Sequence, residues 1–160
     1  MNKAVFLDRD GIINKEIGDY VFRLEDFEIN DGLIDALKYW RSLGFKLIVI
    51  TNQGGIAKGL YGHAEVHRMH DFLNSELQKE GLHFDEIYYS PHHPDFGNSL
   101  NRKPGSLMIE RGLARFNIDP SQSFMLGDRP RDIEAAEAVG VKGILVEANT
   151  DLRTLFDTVK

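Results

Sequence analysis

The sequence predicts an α/β fold: a single Rossmann-like three-layer domain over residues 1–160, with a mainly parallel sheet and no large cap domain. Three observations carry that prediction. Five short apolar runs are bounded by turn residues, as strands are when helices cover both faces of their sheet. Stretches with helical periodicity separate the runs, so strand and helix alternate. The length is that of one ordinary domain, and a 42% hydrophobic, 28% charged chain can fill a core and cover it.

Residues 3–7 form the first expected strand, halted at once by Asp8, Arg9 and Asp10. An irregular stretch with Tyr20, Phe22 and Phe27 comes next. Leu33, Leu37, Trp40 and Leu43 then recur at spacings of three and four, the stripe of a helix lying on a sheet, and Gly44 is placed to end it. Residues 46–50 are the second strand. Val66, Met69, Phe72, Leu73 and Leu77 repeat the helical stripe before Gly81. Residues 86–89, 123–126 and 143–146 supply the remaining strands, with helices expected over 107–116, 132–138 and 152–159. Trp40 and most phenylalanines sit at core spacing, so no aromatic binding platform is expected.

Nineteen Lys and Arg against 25 Asp and Glu leave a formal charge of -6, which disfavours nucleic acid and anionic membrane as partners. The absence of cysteine removes disulfides, thiol catalysis and thiolate-built metal sites. Neither a secretory pattern nor an apolar run near the roughly 20 residues of a membrane span is present, so the expected location is the cytoplasm. A monomer acting on a small molecule is the expected state.

Ligands of doubly wound folds bind beyond the carboxyl ends of the strands. There the first strand runs into Asp8-Arg9-Asp10-Gly11, the second into Thr51-Asn52-Gln53, the third leads through residues 91–103 to Lys103, and the fourth reaches Gly127-Asp128. Two carboxylates one residue apart, joined by a third from another strand, are hard oxygen ligands for Mg²⁺, which keeps waters and a substrate phosphate beside them. Lysine and arginine neutralise phosphoryl oxygens. One aspartate attacks phosphorus while a second carboxylic acid shuttles the proton. These parts suit a phosphatase. An Asp-x-Asp pair alone is ordinarily a turn, and the other strand ends in register are what give it chemistry. Gly54-Gly55 with Gly59 reads as a turn, because the string lacks the ending of a nucleotide loop. His63, His67 and His70 share one helix face that is expected to be solvated, and His92 and His93 are expected in a turn bonded to backbone.

Asp8-Arg9-Asp10-Gly11, Thr51, Lys103 and Gly127-Asp128-Arg129-Pro130-Arg131-Asp132 resemble, in order and spacing, the four motifs of the haloacid dehalogenase-like hydrolases. The 51–53 and 55–59 runs, Pro91-His92-His93-Pro94 and Arg102-Lys103-Pro104 are similar to the subfamily of heptose 1,7-bisphosphate and histidinol-phosphate phosphatases. That resemblance implies Asp8 as the nucleophile that becomes aspartyl-phosphate and Asp10 as general acid and base, its backbone carbonyl also holding Mg²⁺. It implies Thr51 and Lys103 as ligands of the transferred phosphoryl group, and Asp8, Asp10 and Asp128 as the metal set. Asp132 is implied to orient Lys103 or a metal-bound water, and Asn52, Gln53 and Arg102 to contact substrate.

Three departures from the family pattern stand out. Ile12 replaces a common threonine, and Lys58 replaces an arginine, keeping charge without a bidentate fork. The third is that the family's zinc loop of three cysteines and a histidine has here only His92, so no structural zinc is expected. The implied substrate is a small sugar or polyol phosphate, heptose 1,7-bisphosphate first and histidinol phosphate second. A signalling receiver domain, the alternative of another class, normally carries its phosphoacceptor at the end of strand three, where this chain has Tyr89-Ser90.

Overall fold

The computed structural model describes residues 1–160. Strands β1 (Lys3–Leu7), β2 (Phe45–Asn52), β3 (Glu86–Ser90), β4 (Phe124–Gly127) and β5 (Lys142–Leu145) form one sheet in the order β3-β2-β1-β4-β5. Every neighbouring pair is parallel. This order differs from the 2-1-3-4-5 order of flavodoxin-like receiver modules, and it disposes of the receiver alternative. The chain moves one way from β1 to β3 and the other way from β4 to β5, leaving a switch point between β1 and β4.

Parallel crossovers are right-handed, so this path puts helices α1 (Leu33–Ser42) and α2 (His63–Gln78) on one face and α3 (Leu107–Arg115) and α4 (Pro130–Glu137) on the other. The period-2 alternation of the strands shows both faces. Val5, Leu7, Leu47 and Val49 pack with Leu33, Leu37, Trp40, Met69, Leu73 and Leu77 in the larger core cluster. Ala4, Phe6, Ile48 and Ile50 pack with Met108, Ile109, Ala135 and Ala136 in the smaller one.

Strand β2 runs two residues past the expected end, because Thr51 and Asn52 pair with Tyr89 and Ser90. Thr51 and Asn52 therefore sit on a rigid ladder. Leu43 is not in the core; α1 ends at Ser42, Gly44 takes φ +87°, and the intervening leucine is 36% exposed. The helix expected over 152–159 is only a 3-10 turn, Leu152–Leu155. So short a segment gains little from helix propagation, and Trp40 Nε1 donates to the Val159 carbonyl at 3.1 Å, drawing the end of the chain across α1 instead. Leu152 and Val159 are buried all the same.

Between β1 and α1 the chain makes a flap with a single 3-10 turn, Leu24–Asp26. Phe27 packs into the larger core against Phe72, ring centroids 6.0 Å apart. Tyr20 and Phe22 go elsewhere and meet Tyr61. No helix is long and apolar enough to cross a membrane.

Candidate active site

A cavity of about 290 Å³ opens at the switch point, over the carboxyl ends of β1 and β4. Asp8, Asp10, Asn52, Gln53, Asp128, Arg129 and Arg131 line it, with Tyr20 of the flap among the residues on the opposite side. Thr51 and Lys103 are buried beneath.

Lys103 organises the floor. Its Nζ donates to Asp8 Oδ1 at 2.9 Å and to the Ile50 carbonyl at 2.7 Å, and pairs with Asp132 Oδ1 at 2.6 Å. Burial opposes a charge there, yet Asp8 and Asp132 together hold the ammonium above its usual range. Asp132, at the third position of α4, also accepts from the Arg129 N–H at 3.1 Å. Gly127 makes that approach feasible, since a Cβ there would collide with the Asp132 carboxylate. Asn52 fixes the other side of Lys103: its Oδ1 accepts from the Lys103 N–H at 3.0 Å and its Nδ2 donates to the Lys103 carbonyl at 3.1 Å.

Asp8 and Asp10 have opposite surroundings. Burial pushes the Asp8 carboxyl up to about 8 against the pull of Lys103, with Asp132 and Asp10 adding to the rise. Burial acts on Asp10 too, but the Arg9 charge and hydrogen bonds from Arg9, Asn14 and Gln53 hold it below the usual carboxylate range. Arg9 and Asn14 both donate to Asp10 Oδ1 at 2.9 Å, and Gln53 Nε2 to Oδ2 at 3.1 Å.

Oxygens of Asp8, Asp128 and Asp132 lie within 4.8 Å of one another. Burial raises Asp128 as well as Asp8. These are the hard donors Mg²⁺ takes, in a cluster whose negative charge exceeds what Lys103 neutralises. The residues therefore fit a divalent cation at Asp8 and Asp128. Asp132, whose oxygens face Lys103 and the Arg129 N–H, belongs to the lysine. The Asp10 side chain is turned away from the cluster toward Arg9 and Gln53.

Arg102 does not line this cavity; its guanidinium donates to the His92 carbonyl at 2.8 Å. Burial and the Arg131 charge lower its proton affinity. Arg129 and Arg131, which belong to the 127–132 motif and had no expected role, are the cations that do line the cavity. Their signal was available, since they open a helix directly behind Asp128. The 91–103 segment is held by Arg102, by Asn52 and by a 3-10 turn, Pro94–Phe96, which His93 caps by accepting from the Asp95 N–H at 3.2 Å. Lys58 Nζ lies 5.5 Å from the Tyr20 ring centroid, and Ile12 is core.

Of the α2 histidines, His63 and His67 lie on the exposed face expected of them, and only His70 departs from it. His63 Nδ1 and His67 Nε2 meet the Tyr89 hydroxyl at 2.6 and 3.2 Å. His70 is buried, and the Arg9 guanidinium faces its Nε2 at 3.5 Å. Burial, then the Arg9 charge, lower its pKa to about 3, which keeps the ring neutral.

Comparison with known proteins matches this geometry to a family. The model of HAD-hydrolase-like proteins matches residues 100–156, the span holding Lys103, Asp128 and Asp132. A D-glycero-beta-D-manno-heptose-1,7-bisphosphate 7-phosphatase of Helicobacter pylori is 42% identical over 96% of this chain and 88% of its own. A D-glycero-alpha-D-manno-heptose-1,7-bisphosphate 7-phosphatase of Photorhabdus laumondii is 39% identical over 87% and 79%. The crystal structure of D,D-heptose 1,7-bisphosphate phosphatase from B. bronchiseptica, complexed with magnesium and phosphate, superposes with a TM-score of 0.85 at 30% identity, covering 97% of this chain and 86% of that one. Likeness of this extent means that the chain belongs to the haloacid dehalogenase-like hydrolases, in the branch containing the heptose bisphosphate phosphatases, and is a phosphoric monoester hydrolase.

Proposed function

We propose that this phosphatase depends on Mg²⁺ and removes the 7-phosphate of D-glycero-D-manno-heptose 1,7-bisphosphate through an aspartyl-phosphate on Asp8. The observation that carries the chemistry is the pairing of Asp8 with Lys103 at 2.9 Å beside the Asp128 carboxylate, with Asp10 held separately one residue on. The likeness to relatives named for this substrate supports its identity.

In the first step an Asp8 oxygen attacks phosphorus, the bond from phosphorus to the sugar oxygen breaks, and Asp10 gives that oxygen a proton. In the second, Asp10 takes a proton from water as the water oxygen attacks phosphorus, and inorganic phosphate leaves Asp8. Lys103 and the Thr51 hydroxyl bind the phosphoryl oxygens throughout. Mg²⁺ held by Asp8, Asp128 and the Asp10 backbone carbonyl supplies charge neutralisation for the attacking carboxylate and the phosphoryl group. Asn52 meets the sugar from the cavity wall, with Gln53 behind it bonded to Asp10, and Arg129 and Arg131 meet the remote phosphate.

The test is a ranking of kcat/KM with Mg²⁺ over both anomers of the bisphosphate, the heptose 7-monophosphate and histidinol phosphate. The bisphosphate should exceed histidinol phosphate by roughly 100-fold or more, because the arginine rim has no anion to meet in the latter. Histidinol phosphate ranking first would overturn the substrate assignment. Both anomers belong in the panel because the alpha and beta enzymes are similarly close to this chain.

A further inference from the structure

Gln53 is 2% exposed, and each of its amide atoms has a partner. Its Nε2 donates to Asp10 Oδ2 at 3.1 Å and to Thr51 Oγ1 at 3.0 Å, so one amide ties the proton donor to a phosphoryl ligand. Its Oε1 accepts from the Tyr61 hydroxyl at 2.7 Å. An ionised carboxylate only accepts, so the amide must present nitrogen to Asp10, which leaves its oxygen to Tyr61. Without that hydroxyl, Oε1 would be a buried acceptor with no partner, and the amide would rotate to find one.

The Tyr61 ring is seated with equal care. Phe22 stacks on it, with centroids 5.1 Å apart and planes 10° from parallel, and Tyr20 leans against it at 6.0 Å. A Cβ on Gly55 would run into the ring, so the glycine leaves room for it. Burial pushes the phenol up to about 12, and it keeps its proton to donate. The Gly54-Gly55 turn, read from sequence as a turn and nothing more, is thereby the seat of an aromatic side chain that reaches the active site.

We propose that Tyr61 is a positioning residue for the proton donor: its hydroxyl fixes the Gln53 amide, which holds the Asp10 carboxylate and binds it to Thr51, while the flap residues Tyr20 and Phe22 hold the ring. The inference rests on the reading of Asp10 as general acid. It touches neither the substrate nor the reacting atoms, so its signature is selective. A p-nitrophenolate leaves phosphorus without protonation, whereas an alkoxide does not. Misplacing Asp10 therefore lowers kcat/KM for alkyl phosphates more than for p-nitrophenyl phosphate.

The experiment measures kcat/KM for p-nitrophenyl phosphate and for the alkyl phosphate that the wild type hydrolyses fastest, in Tyr61→Phe, Gly55→Ala and Asp10→Asn. Thermal unfolding accompanies each variant. Asp10→Asn should lower the alkyl-to-aryl ratio about 100-fold. Tyr61→Phe, which keeps the stacked ring and loses one hydrogen bond, should lower it about tenfold, and Gly55→Ala should move it the same way. If Asp10→Asn lowers the ratio and Tyr61→Phe leaves it unchanged, Tyr61 does not position the acid. If Asp10→Asn leaves the ratio unchanged, Asp10 is not the proton donor, and the inference falls with that reading.

Discussion

Asp10 accepts three hydrogen bonds from Arg9, Asn14 and Gln53, so in the resting site it is an ionised base. A substrate phosphate arriving beside it raises its proton affinity, since a like charge disfavours the carboxylate, and this lets the same group serve as acid in the first half-reaction. Asp8 is the opposite case: buried among carboxylates, it needs cationic company to be a nucleophile at neutral pH. Substitutions should separate the two. Asp8→Asn should abolish turnover, because an amide is a very poor nucleophile, and should weaken Mg²⁺ binding by removing a charge. Asp10→Asn should bind Mg²⁺ nearly as the wild type does while kcat falls about 100-fold. Isothermal titration with Mg²⁺ beside steady-state kinetics checks both, and a weakened metal site with nearly normal kcat in Asp10→Asn would reverse the assignments.

Elements are joined at the opposite end of the sheet by Asp85, at the entry to β3. Its Oδ2 accepts from Arg41 near the end of α1 and from the Leu47 N–H of β2, each at 2.8 Å, while its own N–H donates to the Leu47 carbonyl at 2.8 Å. Asp85→Ala leaves a guanidinium and a strand N–H without their partner, so it should cost about 1–3 kcal/mol in urea unfolding with kcat unaffected. A change within experimental scatter would show that water replaces the carboxylate there. Much of this layer was legible from pattern alone. The apolar runs located all five strands to within a residue or two, and the stripes of α1 and α2 pointed to Leu33, Leu37, Leu73 and Leu77 in the core, missing only at Leu43 past the end of α1, because burial on a regular element imposes a period. The gathering of Asp8, Asp10, Thr51, Lys103 and Asp128 at one end of the sheet was legible because strand ends in this fold converge. What pattern could not convey were contacts made once. Trp40 capturing the Val159 carbonyl stopped a helix, Arg9 drew His70 inward, and Tyr61 reached Gln53 across a turn with no period of its own.

For the whole molecule, His70 ties stability to pH. Its native pKa is lowered to about 3 from an ordinary value of 6.5, so the unfolded chain binds a proton below 6.5 that the folded chain refuses. Stability should therefore fall as pH drops from 6.5 toward 3, by about 2 kcal/mol between pH 6.5 and 5 from this group. His70→Gln, which keeps an acceptor for Arg9, should reduce the slope over that window by one proton in urea unfolding. An unchanged slope would mean that the buried ring takes up its proton in the native state. The functional account rests on two successive in-line displacements at phosphorus, the first by Asp8 and the second by water. The measurement that reaches it most directly is the stereochemical course of hydrolysis, using a 7-phosphorothioate analogue of the bisphosphate made chiral at phosphorus with two oxygen isotopes and hydrolysed in water of the third. Two displacements each invert, so net retention is expected in the released thiophosphate, whereas inversion would mean that water attacks the substrate directly and that Asp8 never carries the phosphoryl group.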